Sequence, residues 1–454
     1  MPDAFKISYV GGGSRFVVTF LHGLAERAEA LRRLGRRIEL ALIDPNAKRA
    51  ADMARYAGIT AKQAGLALTS RVVPERADAL GGADLVVFSA GLRDRVMPLR
   101  KRLLEPRGIA PDESSAAIAV EAAALWPELA RLGRDMKENC PRAVFATLVN
   151  PTDVCAAAFE RAFGITSVGL CVEVPGLVGW LSYYLGVDEA DIHVEHIGVN
   201  HVGWVSRLTV GGGEGDQLLR LRIPERVSRD DWDPHATWFV ELFESTGCLR
   251  TSPYHHWPLR VAWTDELPVR NERWARTCLP EGVSKRGLRA EALRRALETG
   301  RMIDEPDGTR VHPEATPYSY PNTRHTLGAL VVGLAGGEAD PVPLQVRNGG
   351  TNVGFVDEAC LEVPTRVEAA ALRPMTVSAL AAWQHAPVAA LAAQRSRLAD
   401  WLSGRDMDGL VEGLVALPGD VPLEALRSLS VELAAFRSGG DGGVADATPQ
   451  IGNS

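Results

Sequence analysis

Lys6-Ile7-Ser8-Tyr9-Val10-Gly11-Gly12-Gly13-Ser14 is the stretch that decides the fold, because five residues of strand character run straight into three glycines. Behind it, Arg15 to Ala30 carries Phe16, Phe20, Leu21 and Leu24 at helical spacing. Strand, glycine turn and helix in that order open a βαβ unit, and such a turn offers backbone N–H groups and a helix N-terminus to a pyrophosphate. Arg37 to Asp44 reads as a second strand ending in an acid beside the first. A carboxylate there takes both ribose hydroxyls of NAD and repels the 2′-phosphate of NADP. Gly11, Gly12, Gly13, Ser14 and Asp44 are therefore the expected NAD site. The third glycine of the usual fingerprint is absent, and Asp44 follows Gly13 by 31 residues, an interval that a longer first helix absorbs.

Working outward, helical patterns over 46–66 and 115–139 alternate with apolar strands over 83–89 and 143–149, the latter ending in Asn150-Pro151. Alternation of this kind predicts an α/β, Rossmann-like doubly wound domain with a parallel sheet over residues 1–200. Residues 201–437 read as a second, α+β domain. An antiparallel pair is expected over 201–215, helices over 228–248 and 284–300, and two short strands around a Gly-rich turn over 340–365. Pro387 to Leu402 reads as a helix with proline in its first turn, where the missing N–H costs nothing. Leu410 to Phe436 reads as helical with an interruption around Pro418 and Pro422. The Gly/Asp-rich stretch 438–454 is expected to be a disordered tail.

Composition bounds the function. The 454 residues, 46% hydrophobic and 24% charged with 44 Gly and 28 Pro, are those of a globular protein. Length alone suggests about three domains, and the motif order reduces that to two. A net charge of −7 gives no global attraction to nucleic acid or an anionic membrane. Six scattered cysteines without paired spacing argue for a reducing compartment. With no apolar run long enough to span a bilayer and no basic-then-apolar leader, a cytoplasmic location is expected.

A second cluster of candidates follows. Gly169-Leu170-Cys171 is followed 30 residues later by His201, in Asn200-His201-Val202-Gly203-Trp204. One Cys and one His leave a divalent ion with open positions, which suits a substrate-chelating site. By spacing alone a lone Cys after an apolar strand reads equally as a small buried hydrophobe.

Five blocks in order, Lys6 to Ser14, Asn150-Pro151, Gly169-Leu170-Cys171, Asn200-His201-x-x-Trp204 and Asn348-Gly349-Gly350 through Glu362-Val363-Pro364, resemble glycoside hydrolase family 4. These are NAD- and divalent-metal-dependent glycosidases, exceptions to the two-carboxylate rule, with a fold like that of lactate and malate dehydrogenases. The resemblance implies a hydrolase that oxidises the sugar at C3 with NAD, removes the C2 proton, expels the C1 substituent, adds water and returns the hydride. It implies Cys171 and His201 as ligands of a divalent metal, Mn2+ foremost. Asn150 and Asn200 become substrate contacts, and Tyr254, in Ser252-Pro253-Tyr254-His255-His256-Trp257, becomes the C2 base. The roles of His255 and His256 stay open. A homodimer or homotetramer acting on a small carbohydrate is the implied assembly.

Departures cluster around the substrate. Val172 stands where some members carry an acid, and Glu173, one step on, is expected to point elsewhere unless the turn there differs. Glu113 stands in a degraded Gln-Glu-Thr segment. Arg95 is similar to the arginine that contacts a 6-phosphate, although it and its neighbours Arg93, Arg100, Lys101 and Arg102 read equally as a solvated face. A 6-phosphorylated or otherwise anionic sugar is admitted, and lack of an acid leaves a sugar epimerase or dehydrogenase as the alternative.

Overall fold

A computed structural model describes residues 4–109, 115–227, 239, 242–252, 284–304, 307–312, 323–369, 371–415 and 421–438. Tyr254, His255, His256, Glu113 and the tail beyond 438 lie outside the described residues, as does most of the helix expected over 228–248.

The strands are β1 (Ala4–Val10), β2 (Arg37–Ile43), β3 (Leu68–Val72), β4 (Leu85–Phe88), β5 (Val144–Thr147), β6 (Ser167–Gly169), β7 (Ile192–Val199), β8 (Val202–Val210), β9 (Gly213–Glu214), β10 (Leu249–Arg250), β11 (Val342–Arg347), β12 (Cys360–Glu368) and β13 (Ala371–Pro374). The first six pair in parallel in the order β3-β2-β1-β4-β5-β6. That is the doubly wound order, in which ligands sit beyond the carboxyl ends of the strands. Central strands are apolar throughout because helices cover both faces: all four residues of β4, Leu85-Val86-Val87-Phe88, are buried.

Beyond β6 the sheet continues through β11, β12, β7, β8 and β10, each pair antiparallel. Two of these junctions are a single residue pair wide: Gly169 opposite Gln345 joins β6 to β11, and Gly198 opposite Glu362 joins β7 to β12. The described residues thus form one 13-stranded sheet running across residue 200.

A buried helix, Thr323–Leu334, packs across the first helix, Phe16–Glu26, and ties the two halves of the chain together. Gly23 and Gly328 mark the crossing, where a Cβ on either would overlap the other helix's backbone. The sequence pattern does not single out this helix, because it is apolar nearly all round and shows no amphipathic stripe.

The antiparallel pair expected over 201–215 is present as β8 with the short β9, and β8 also pairs along most of its length with β7, which starts at Ile192 and whose alternation His193 and Glu195 disguise. Two expected boundaries move. The first helical run splits at Arg27, whose φ −94° and ψ 14° leave helical geometry. Pro387 lies inside the helix Ala382–Ser403 rather than in its first turn. That helix starts earlier because the Gln384 side chain accepts from the Ala381 N–H at 3.0 Å and caps it.

Candidate active site

The glycine turn lies between the carboxyl ends of β1, β2 and β4. Gly11 N and Gly12 N both donate to Ile43 O, at 2.9 and 2.8 Å. Side chains are excluded at all three positions: a Cβ on Gly11 would stand 2.8 Å from Ala90 N, one on Gly12 2.8 Å from Leu42 Cβ and one on Gly13 2.8 Å from Arg49 Cβ. Asp44 organises the turn directly. Its carboxylate accepts from Gly13 N at 2.9 Å and from Asn46 N at 2.8 Å. A carboxylate offers about four acceptor positions, so two remain for ribose hydroxyls. Ser14 Oγ accepts from Phe16 N at 3.3 Å, where the first helix begins. A closely packed glycine turn beside a half-satisfied carboxylate fits a dinucleotide.

Asn150, Cys171, Asn200 and His201 come from three separate loops and meet. Asn150 follows β5, Cys171 follows β6, and Asn200-His201 is the two-residue turn between β7 and β8. Asn150 Nδ2 lies 3.3 Å from His201 Nε2. Cys171 Sγ accepts from Asn200 Nδ2 at 3.3 Å and from Glu173 N at 3.5 Å. Burial first, then the nearby Glu362 carboxylate, push the Cys171 thiol up to about 12. Such a thiol ionises against a cation. Among the described residues no three His, Cys, Asp or Glu side chains close into a cage for an ion. Cys171 and His201 therefore fit an ion that keeps open positions, and their soft and imidazole donors suit a transition-series divalent cation.

Glu173 corrects the expectation that it would point elsewhere. It opens the helix Glu173–Leu185, and its buried carboxylate lies 3.8 Å from His201 Nε2 through Oε1. Oε2 accepts a hydrogen bond from Ser252 Oγ. The helix starts one residue after Val172, and that tight turn swings the second residue past Cys171 back over the site.

Arg95 is not brought into this group. It lies exposed in the first turn of the helix Arg93–Leu104, and its side chain has no hydrogen bond or ion pair with a described residue. Its neighbour Arg100 turns inward to Glu121 at 2.8 Å and so leaves the solvated face. A cavity of about 880 Å3 also lies against the helix Glu173–Leu185, lined by Val178, Ser182, Glu189 and His325, but neither Cys171 nor His201 borders it.

Comparison with known proteins places this geometry. Residues 6–187 match the model of family 4 glycosyl hydrolases, and residues 196–401 match that of the family 4 glycosyl hydrolase C-terminal domain. The chain belongs to glycoside hydrolase family 4. An alpha-galacturonidase of Lachnoclostridium phytofermentans is 28% identical over 224 residues. That match covers 46% of each chain, so this family 4 protein spans about half the length of the curated relative. The 6-phospho-beta glucosidase of Thermotoga maritima, solved with NAD and glucose-6-phosphate, superposes with a TM-score of 0.69 at 16% identity, covering 96% of this chain and 99% of that one. A 6-phospho-alpha-glucosidase from gut microorganisms, solved with NAD and Mn2+, gives 0.70 at 16% identity over 96% and 98%. At these identities the two solved structures show the shared fold.

Beneath the site of this family 4 chain lies a buried polar layer that motif reading passes over. Thr152 Oγ1 donates to Gln345 Oε1 at 2.5 Å, and Gln345 Nε2 donates to Glu362 Oε2 at 2.9 Å. Burial pushes the Glu362 carboxyl up to about 7. A signal was present: Leu344-Gln345-Val346 and Leu361-Glu362-Val363 each set one polar residue in an apolar strand. The buried ion pair of Asp153 with Arg395, 2.5 Å apart under the Asn200 turn, carried no such signal, since an acid in a first helical turn and an arginine in an amphipathic helix both read as surface residues.

Proposed function

We propose that this family 4 chain is an NAD- and divalent-metal-dependent glycosidase acting on an anionic sugar glycoside, with an α-linked hexuronic acid the favoured substrate. The observation that supports it is the convergence of Asn150, Cys171, Asn200 and His201 at the carboxyl edge of the parallel sheet. Favouring a uronic acid over a 6-phosphate rests on the alpha-galacturonidase relative, 28% identical over 46% of this chain, while the phosphoglucosidase structures at 16% identity speak to the fold alone.

When bound, NAD supplies a hydride acceptor for C3, and the divalent ion supplies positive charge for the oxygens on C2 and C3. Gly11, Gly12, Gly13 and Ser14 hold the cofactor's pyrophosphate, and Asp44 its ribose. Cys171 and His201 hold the ion. Asn150 and Asn200 orient sugar hydroxyls, and Tyr254 takes the C2 proton. Glu173 gives its proton to the glycosidic oxygen as the C1–O bond breaks and the bonding pair leaves with that oxygen. The epimerase or dehydrogenase reading, which drew its support from the lack of such an acid, predicts either no released aglycone or net NADH formation, and so parts from this one in the test that follows.

Incubation with NAD, Mn2+ and 4-nitrophenyl α-galacturonide in D2O tests the reading. Nitrophenol release, deuterium at C2 of the released sugar and no net NADH are expected, with the 6-phosphoglucoside turned over at least about tenfold more slowly. Release that persists in chelator without C2 deuterium would sink it. Glu173→Gln is expected to slow cleavage of a sugar leaving group by about 10²-fold or more, yet to leave the nitrophenyl substrate within a few-fold, because nitrophenolate departs unprotonated. Equal losses on both substrates would remove Glu173 from the acid role.

A further inference from the structure

We propose that Arg395, from the helix Ala382–Ser403 far along the chain, is a positioning residue that holds His201 in its ligating orientation. The inference rests on the reading of Cys171 and His201 as metal ligands. Arg395 and Asp153 are 3% and 1% exposed. Arg395 Nη1 donates to Asp153 Oδ2 at 2.5 Å and to the Asn200 carbonyl at 2.7 Å. Asp153 Oδ2 also accepts from the Asn200 N–H at 3.0 Å, while Oδ1 accepts from Val154 N at 2.8 Å. Asn200 is thus gripped by its N–H and by its carbonyl.

The grip matters because of the turn it holds. Val199 pairs with Val202, so Asn200 and His201 are the two central residues of a hairpin turn. His201 has φ 64°, and Asn200 is not among the residues with positive φ. Positive φ is uncommon in a residue other than glycine, so the surroundings of the turn have to hold His201 there. Arg395 on the carbonyl and Asp153 on the N–H of Asn200 fix the peptides on both sides of that residue, and so hold in place the backbone of the turn that carries the imidazole.

Stability alone does not account for the pair, since an apolar pair of similar volume is often as stable as a buried ion pair, whereas loss of one partner strands a charge. Arg395 meets the site at Asp153 and at the Asn200 carbonyl, so its effect on His201 passes through the Asn200-His201 peptide.

The test is Mn2+ titration of the full chain, read as the electron paramagnetic resonance signal of the free ion, beside NAD affinity and melting temperature. In the double variant Asp153→Asn/Arg395→Met, which leaves no stranded charge, the Mn2+ Kd is expected to rise about 10- to 100-fold, the span typical of groups that orient metal ligands. NAD Kd is expected to stay within about twofold, which general loosening would not allow. Arg395→Lys, with one compact donor group in place of the planar fork, is expected to fall between parent and double variant, and it carries the test should the double variant not fold. A folded double variant, or failing that a folded Arg395→Lys, that binds Mn2+ as the parent does overturns the proposal. A parent chain without stoichiometric Mn2+ binding overturns the metal-site reading itself, and the positioning role with it.

Discussion

His201→Ala and Cys171→Ser are each expected to lower Mn2+-supported kcat/KM by about 10³-fold or more, about 4 kcal/mol at 1.36 kcal/mol per decade. The two variants fail for different reasons. Cys171 is buried, and its thiol is pushed up to about 12 by that burial and by Glu362. A cation is what would draw the proton off it, and a serine hydroxyl, with a far higher pKa and a harder oxygen, would stay protonated beside the same ion. His201 combines a ligand's role with an unusual backbone, φ 64°. Alanine there loses the imidazole and keeps the conformational cost, whereas asparagine tolerates that region better. Comparing His201→Ala with His201→Asn separates the two effects. Both should lose activity alike, but Asn should recover part of any drop in melting temperature. Activity of either variant within tenfold of the parent would show that the ion is held elsewhere.

Gly13→Ala is the second substitution with a large expected effect, a weakening of NAD binding by about 10²-fold. The added methyl would stand 2.8 Å from Arg49 Cβ and 3.1 Å from the Asp44 carboxylate. Neither neighbour can yield freely, because Asp44 also accepts from Gly13 N at 2.9 Å and from Asn46 N at 2.8 Å. Relief of the overlap would part Asp44 from the turn, and the ribose contact and the pyrophosphate contact would be lost together. Asp44→Ala, which removes the carboxylate without the overlap, should cost less, about 10- to 30-fold. Fluorescence titration with NAD checks both. If Gly13→Ala binds NAD as the parent does, the cofactor does not use this turn.

Features carried by local chemistry were legible in the sequence. The glycines at 11–13 between a strand and a helix pointed to a turn, Asp44 at the end of a second apolar run pointed to the strand beside it, and the alternation of strands and helices over the first two hundred residues led to the doubly wound fold. The loops bearing Asn150, Cys171 and His201 were likewise findable because each follows a strand. What escaped was whatever depends on two distant segments meeting. Arg395 acquires meaning only when its helix lies against Asp153, 242 residues earlier. Glu173 was set aside because an extended chain alternates its side chains, and no local pattern announced that a helix begins there and turns the carboxylate back. The crossing at Gly23 and Gly328 looked like two unremarkable glycines in separate helices.

The sheet's narrow seams, Gly169 against Gln345 and Gly198 against Glu362, also bear on how such a chain can change over time. At each seam a glycine faces a long polar side chain, and a Cβ on Gly169 would collide with the Gln345 carboxamide. Gly169 and Gln345, one in each half of the molecule, are therefore obliged to change together, whereas a Cβ on Gly198 would meet the backbone of Val202 and Gly203 instead. A half borrowed from a relative would arrive with β6 as a raw edge, a ready template for unwanted strand pairing, and with Asp153 stripped of its counter-ion. Lineages of this protein should trade loops freely and trade halves hardly at all.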